Sequence, residues 1–252
     1  MISACEKDEE SGFTDSPIIE AYLNAGDYFR VKVSRQVPFS SDVSYSEDDI
    51  DNLELMLVFN DSIYFLNPVG DGVYSDTSLL VSENDEYWLS FEFNGKEVSA
   101  YTYVPSHPDS VSQSETEIYM PRIDSTGIGG GTGSLINESV EICWYNADDS
   151  YYLVLVENVE DDPDPIRDFG DEEPPEARFR KSPTDSNMEE IRGMEFQYFG
   201  THRIIIYHVL PDYAALYEEN SNSSQDLTNP SSSITNAYGI FTGINADTLW
   251  LE

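Results

Sequence analysis

Few residues in this chain are equipped for chemistry, and the first of them is Cys5. Ile2-Ser3-Ala4-Cys5 has the form of the end of a bacterial lipoprotein signal, where a small residue precedes the cysteine that is cleaved and acylated. Two or more acyl chains, at about 0.8 kcal/mol per buried CH₂, hold a domain at a membrane without any spanning helix. The acidic run Glu6-Lys7-Asp8-Glu9-Glu10 follows at once. A signal peptide also has a basic segment and an apolar core of about 7–15 residues. Only Met1 to Ala4 stand before Cys5 here, so an acidic tail with a free thiol is the competing reading.

Other groups suggest chemistry and then fail a spacing test. Asp161, Asp162, Asp164, Asp168, Asp171, Glu172 and Glu173 crowd the stretch 160–173 and offer the carboxylate oxygens that calcium prefers. Their spacing does not follow an Asp-x-Asp-x-Asp-Gly loop closed by Glu, which favours a solvated acidic loop and leaves calcium as the alternative. Gly127-Ile128-Gly129-Gly130-Gly131-Thr132-Gly133 lacks the Lys-Ser/Thr pair and following helix of a phosphate-binding loop, so it reads as flexible. Among the histidines, His107 stands apart, and His202 and His208 fall on one strand face roughly 20 Å apart, too far for one metal. Cys143 lies in the apolar run Val140 to Trp144 without a basic neighbour and reads as a small core residue. There is no Gly-x-Ser-x-Gly elbow, and paired carboxylates predict nothing among 49 acids. Neither a cofactor nor an enzymatic activity is expected. Trp144, Tyr151 and Tyr152 read as core, whereas Tyr213, Tyr217 and Tyr238 flank a Ser- and Asn-rich stretch, 219–236, and are the candidates for a binding rim.

Composition narrows the classes of partner. The 252 residues carry 49 Asp and Glu against 12 Lys and Arg, a net charge of -37, which repels nucleic-acid phosphates and anionic lipid surfaces. Disorder does not follow, because 17 Tyr, 12 Phe and 3 Trp provide the bulky apolar surface that disordered acidic chains lack.

The elements that must position these residues are strands, since apolar alternation of period two recurs and helical periodicity is confined to Asp212 to Glu219. Tyr28 to Val33 reads as a half-buried strand. Asn60-Asp61, Asp71-Gly72 and Asn94-Gly95 read as tight turns between strands, the last joining Tyr87–Phe93 to Val98–Thr102. Residues 105–117, polar and with two prolines, read as a linker. Beyond it, strands are predicted over Glu117–Ile123, Val140–Tyr145, Tyr151–Glu157, Met194–Tyr198, Arg203–Leu210 and Ala237–Thr242. The expected organisation is a tether over 1–16, a β-sandwich over 17–105, a linker over 106–117 and a second β domain with long loops over 118–252.

Four stretches carry a resemblance. Ile2 to Cys5 with its acidic run looks like a lipobox tail and export signal. Residues 18–35, ending Val31-Lys32-Val33-Ser34-Arg35, are similar to a first strand, and Asp71 to Tyr74, Tyr87 to Leu89 and Tyr101 to Pro105 to parts of a transthyretin-like or carboxypeptidase-regulatory-like sandwich. Ser233 to Phe241 resembles an Asn-x-x-Gly-x-Phe closing signature. Together they resemble a family of Bacteroidota outer-membrane lipoproteins of unknown function, often encoded beside TonB-dependent receptors. The resemblance implies an all-β fold of two sandwiches, the second immunoglobulin- or fibronectin-like. It also implies a lipid-anchored protein at the cell surface that serves as accessory or substrate-capturing subunit of a TonB-dependent outer-membrane transport complex. A structural or adhesive module that binds a protein or glycan, with calcium in the acidic loop, is the alternative. Asp61-Ser62-Ile63, Asp109-Ser110-Val111 and Asp247-Thr248-Leu249 resemble the O-glycosylation tripeptide of the same bacteria, and Ser110 is the expected acceptor because it falls in the linker.

Overall fold

Alternation becomes strand almost wherever it occurs. In β1 (Pro17–Asn24) and β2 (Tyr28–Arg35), Ile19, Ala21, Leu23, Phe29, Val31 and Val33 are buried in a core, while Glu20, Tyr22, Arg30 and Lys32 face the other way. The computed structural model describes residues 15–36, 48–122, 138–170, 173–221 and 233–252. Cys5, the tether before Asp15, the stretch 127–133 and the acids Asp171 and Glu172 lie outside the described residues.

The predicted turns form as the residue types require. Asn60 (φ 48°) and Asp61 (φ 55°) join β3 (Met56–Phe59) to β4 (Ser62–Phe65), after the short helix α1 (Asp48–Asp51). Asp71 (φ 55°) and Gly72 (φ 71°) join β5 (Asn67–Gly70) to β6 (Val73–Leu80), and Asn94 (φ 51°) and Gly95 (φ 73°) join β7 (Glu86–Phe93) to β8 (Lys96–Tyr103). Two successive positive-φ residues give the turn whose twist matches that of the flanking strands.

The second half contributes β9 (Asp109–Gln113), β10 (Ser139–Tyr145), β11 (Tyr151–Asn158), β12 (Arg178–Arg180), β13 (Met188–Arg192) and β14 (His202–Val209). Helix α2 (Pro211–Ser221) follows, where the helix was predicted, with Pro211 at its start and Asp212 in its first turn. The chain closes with β15 (Ile234–Thr235) and the 14-residue β16 (Tyr238–Leu251). Strands β12-β11-β14-β16-β1-β2-β6-β5 make one eight-stranded sheet. The five-stranded β15-β8-β7-β3-β4 and the three-stranded β13-β10-β9 make two smaller sheets. The fold is all-β.

Strand β16 holds the arrangement together. Its first half runs parallel to β1, from Ile18 opposite Tyr238 to Asn24 opposite Ile244. Its second half runs antiparallel to β14, from Val209 opposite Ile244 to His202 opposite Leu251. The odd-numbered side chains of β16 therefore serve two cores on one face of the sheet. Phe241 joins Phe29, Tyr87, Leu57, Leu89 and Val98 between the eight- and five-stranded sheets. Leu251 joins Val140, Trp144, Tyr152, Ile191, Ile204 and Ile206 beneath the three-stranded sheet. The expected division between 17–105 and 118–252 is thus crossed, since the first sandwich takes β15 and half of β16 from the chain's end.

Three local expectations are corrected. The linker contains β9, which pairs with β10 by edge hydrogen bonds that need no apolar pattern. Residues 117–122 form no strand; Ile118 N–H donates to the Glu252 carbonyl at 2.8 Å, and Ile118 and Met120 pack onto the second core. The strand predicted over Met194–Tyr198 lies instead at Met188–Arg192, followed by a 3₁₀ turn at Gly193–Glu195. That turn is fixed by the Glu195 carboxylate, which accepts from the Arg192 N–H at 2.8 Å and from Lys181 Nζ at 2.6 Å.

Candidate functional site

One face of the eight-stranded sheet carries both cores, and on the opposite face α2 packs against β16. The residues that look outward there are the even-numbered ones of β1 and β16 and the odd-numbered ones of β11 and β14. Between α2 and the edge strand β12 they bound an open groove of about 640 Å³, a size typical of small-molecule sites. Leu153, Leu155, Tyr207, Val209 and Ile244 form its floor. Tyr22 and Tyr213 stand on one side, and Glu176, Arg178 and Arg180 on the other.

Each wall is held by identifiable contacts. Thr242 Oγ1, fully buried in β16, donates to Asp212 Oδ1 at 2.9 Å and pins the first turn of α2 to the sheet. Burial pushes the Asp212 carboxyl up, and its hydrogen bonds to Thr242 and to the Tyr213 N–H oppose that shift. The Tyr22 and Tyr213 rings meet edge-to-face with centroids 5.9 Å apart. The Tyr213 and Tyr217 hydroxyls lie 3.2 Å apart. Across the groove the Arg180 guanidinium sits 4.9 Å over the Tyr217 ring, a cation–π contact linking β12 to α2. Arg178 pairs with Glu176 at 3.1 Å on the exposed rim. Burial raises the phenol pKa values of Tyr22, Tyr207 and Tyr213, so all three hydroxyls stay protonated at neutral pH.

Of the three tyrosines expected at a rim, the structure brings Tyr213 and Tyr217 together. Tyr238 stands elsewhere, at the start of β16 beside Asn236, Phe93 and Lys96. Tyr22, Tyr207, Arg178 and Arg180 were not singled out by the sequence, although Arg178, Arg180 and Lys181 are three of only 12 cations in a strongly acidic chain. Ser110 is exposed, as a glycan acceptor must be, but lies in β9 at an irregularity of the β9–β10 register, with φ 55°.

The remaining candidates also find places. The acidic stretch is pegged rather than free, because Ile166 inserts into the second core at 3% exposure. Asp164 pairs with Arg122, and Asp168 accepts from the Gly170 N–H at 2.9 Å. Among the described residues no group of three or more His, Cys, Asp or Glu side chains is arranged to hold a metal ion. His208 stacks on Tyr152 with centroids 4.7 Å apart, its Nδ1 2.9 Å from the Ser106 carbonyl oxygen. His202 packs edge-on against Phe196 at 4.9 Å. Burial lowers both imidazole pKa values. Cys143 is a free, half-buried thiol in β10. No helix among the described residues is long and apolar enough to cross a membrane.

No family model and no curated protein matches the sequence. Among solved structures, the chain is similar to the crystal structure of domains A168–A170 of titin, at 10% identity and a TM-score of 0.21, over 78% of this chain and 61% of that one. The chain thus spans less than two thirds of the titin fragment. A likeness at that level carries no argument about function, which rests on the geometry above.

Proposed function

We propose that this chain is a non-catalytic capture module. In this reading it is a lipoprotein anchored through Cys5 at the outer-membrane surface, and it serves as accessory or substrate-capturing subunit of a TonB-dependent transport complex. The observation that carries the binding part is the groove between α2 and β12, an aromatic and arginine-walled recess on the one face of the large sheet that neither smaller sheet covers. Among the described residues around it stands no nucleophile with an adjacent base and no pair of converging carboxylates; the polar groups are phenols, guanidiniums and a rim carboxylate, suited to holding a ligand.

The anchoring part is supported by the Ile2-Ser3-Ala4-Cys5 pattern and by the family resemblance. Charge points the same way, because a domain of net charge -37 is repelled by an anionic membrane and is retained there only by something stronger than surface attraction. Two acyl chains on a cysteine supply it. Mass spectrometry of the protein isolated from its native envelope tests the anchoring and the transport role in one preparation. An acylated Cys5 with a co-purifying TonB-dependent receptor is the expected result. An unmodified residue 5 with no envelope partner would overturn the anchoring and the transport role together.

A further inference from the structure

The groove's chemistry narrows its ligand. An anion would approach against the field of a chain of net charge -37, and a cation would meet Arg178 and Arg180. A purely apolar ligand would use the aliphatic floor but would bury hydroxyl and guanidinium groups without partners. Among the described residues the Tyr22 and Tyr207 hydroxyls make no hydrogen bond to the protein, so both are free to bond a ligand. The Arg180 guanidinium, 4.9 Å over the Tyr217 ring, reaches from β12 to the aromatic wall and brings a planar, multi-donor group to the groove. Glu176, on the same rim as Arg178, adds an acceptor.

A ligand that satisfies all of these is neutral, has an apolar face to lie on tyrosine rings, and carries closely spaced hydroxyls to bond phenols, guanidinium and carboxylate. We propose that the groove binds a neutral saccharide, stacked on Tyr22 and hydrogen-bonded to Tyr207 and Arg180. The inference rests on the capture reading given above.

The test screens the full chain on an array of neutral and acidic oligosaccharides and measures the affinity of hits by titration calorimetry. Binding to neutral oligosaccharides is expected, weakened at least about tenfold in Tyr22→Ala through the lost stacking. A loss of about three- to tenfold is expected in Tyr207→Phe, which removes one hydroxyl and leaves the ring. Trp88→Ala serves as the control: Trp88 is 42% exposed on the five-stranded sheet, away from the groove, and its loss leaves affinity unchanged. Neutral-saccharide binding that Trp88→Ala abolishes and Tyr22→Ala does not would overturn the proposed site. Binding of acidic saccharides or peptides alone, sensitive to Tyr22→Ala, would overturn the ligand class while leaving the capture reading in place. Silence on the array and with a random peptide library would overturn both.

Discussion

The two halves of β16 sit in different kinds of core. The first half lies in a sandwich closed by strands on both sides, with Phe241 packed among Phe29, Tyr87, Leu57 and Leu89 from three other strands. The second half lies under a narrower, three-stranded cover, and irregular chain completes that core: Ile166 from the acidic stretch, Phe196 after the 3₁₀ turn, and Ile118 and Met120 from residues 117–122. The first sandwich is specified by alternation and tight turns, the second by single apolar pegs in polar loops. Between them, at Ile244, the strand changes partner from β1 to β14, and the groove lies across that joint with Tyr22 on one side and Tyr207 on the other. A site built there requires that the two sandwiches behave as one body.

The largest effect that would break this comparison is expected at Gly243, where an added Cβ would stand 2.0 Å from the Tyr103 carbonyl oxygen. The backbone on both sides would have to part, so Gly243→Ala is expected to cost more than about 4 kcal/mol and to lower the melting of both halves. Ile204→Ala, in the second core alone, is expected to cost about 2–5 kcal/mol in chemical denaturation, with the whole chain following because β14 and β16 are paired. Thr242→Val removes the donor to the buried Asp212 carboxylate, at an expected cost of about 1–2 kcal/mol. Hydrogen exchange should then quicken in α2 while the strands stay protected, which sharpens the distinction between sheet and groove wall.

The smallest effect is one of pH, and it belongs to the second core. His202 and His208 are buried with pKa values below the ordinary 6.5, so the unfolded chain takes up their protons first as pH falls. Their contribution is complete above about pH 6.5 and is lost as pH drops through the lowered folded values. Urea midpoints measured from pH 8 to 5 should decline over the lower part of that range, and less steeply in His208→Gln.

Much of the first sandwich was legible because its signals are local. Asn60-Asp61, Asp71-Gly72 and Asn94-Gly95 each fix a hairpin within a few residues, and the strands around them alternate cleanly. Less of the second was legible. Strand β13 buries only Ile191, so its sequence shows no alternation, whereas Phe196 and Tyr198 alternate and are loop pegs. Strand β9 is polar and lies at a sheet edge. The shared strand was visible as a strand over Ala237–Thr242, but period two says which faces are buried and not which strands are neighbours. The site divided in the same way. Tyr213 and Tyr217 were visible, with Tyr238, as aromatics flanking a polar stretch, while Tyr22 and Tyr207 look like any outward residue of a half-buried strand until β1 and β14 are brought to opposite sides of β16.

Scanning calorimetry of the wild-type chain and of Phe241→Ala tests most directly whether the two sandwiches are one body. Phe241 is 1% exposed and touches only the first core, where its truncation should cost about 3–5 kcal/mol. One transition is expected in both proteins, shifted down as a whole in the variant. A variant whose thermogram splits, with one part melting at the wild-type temperature, would show that the second sandwich folds without the first, and that the groove across their joint is not a rigid site.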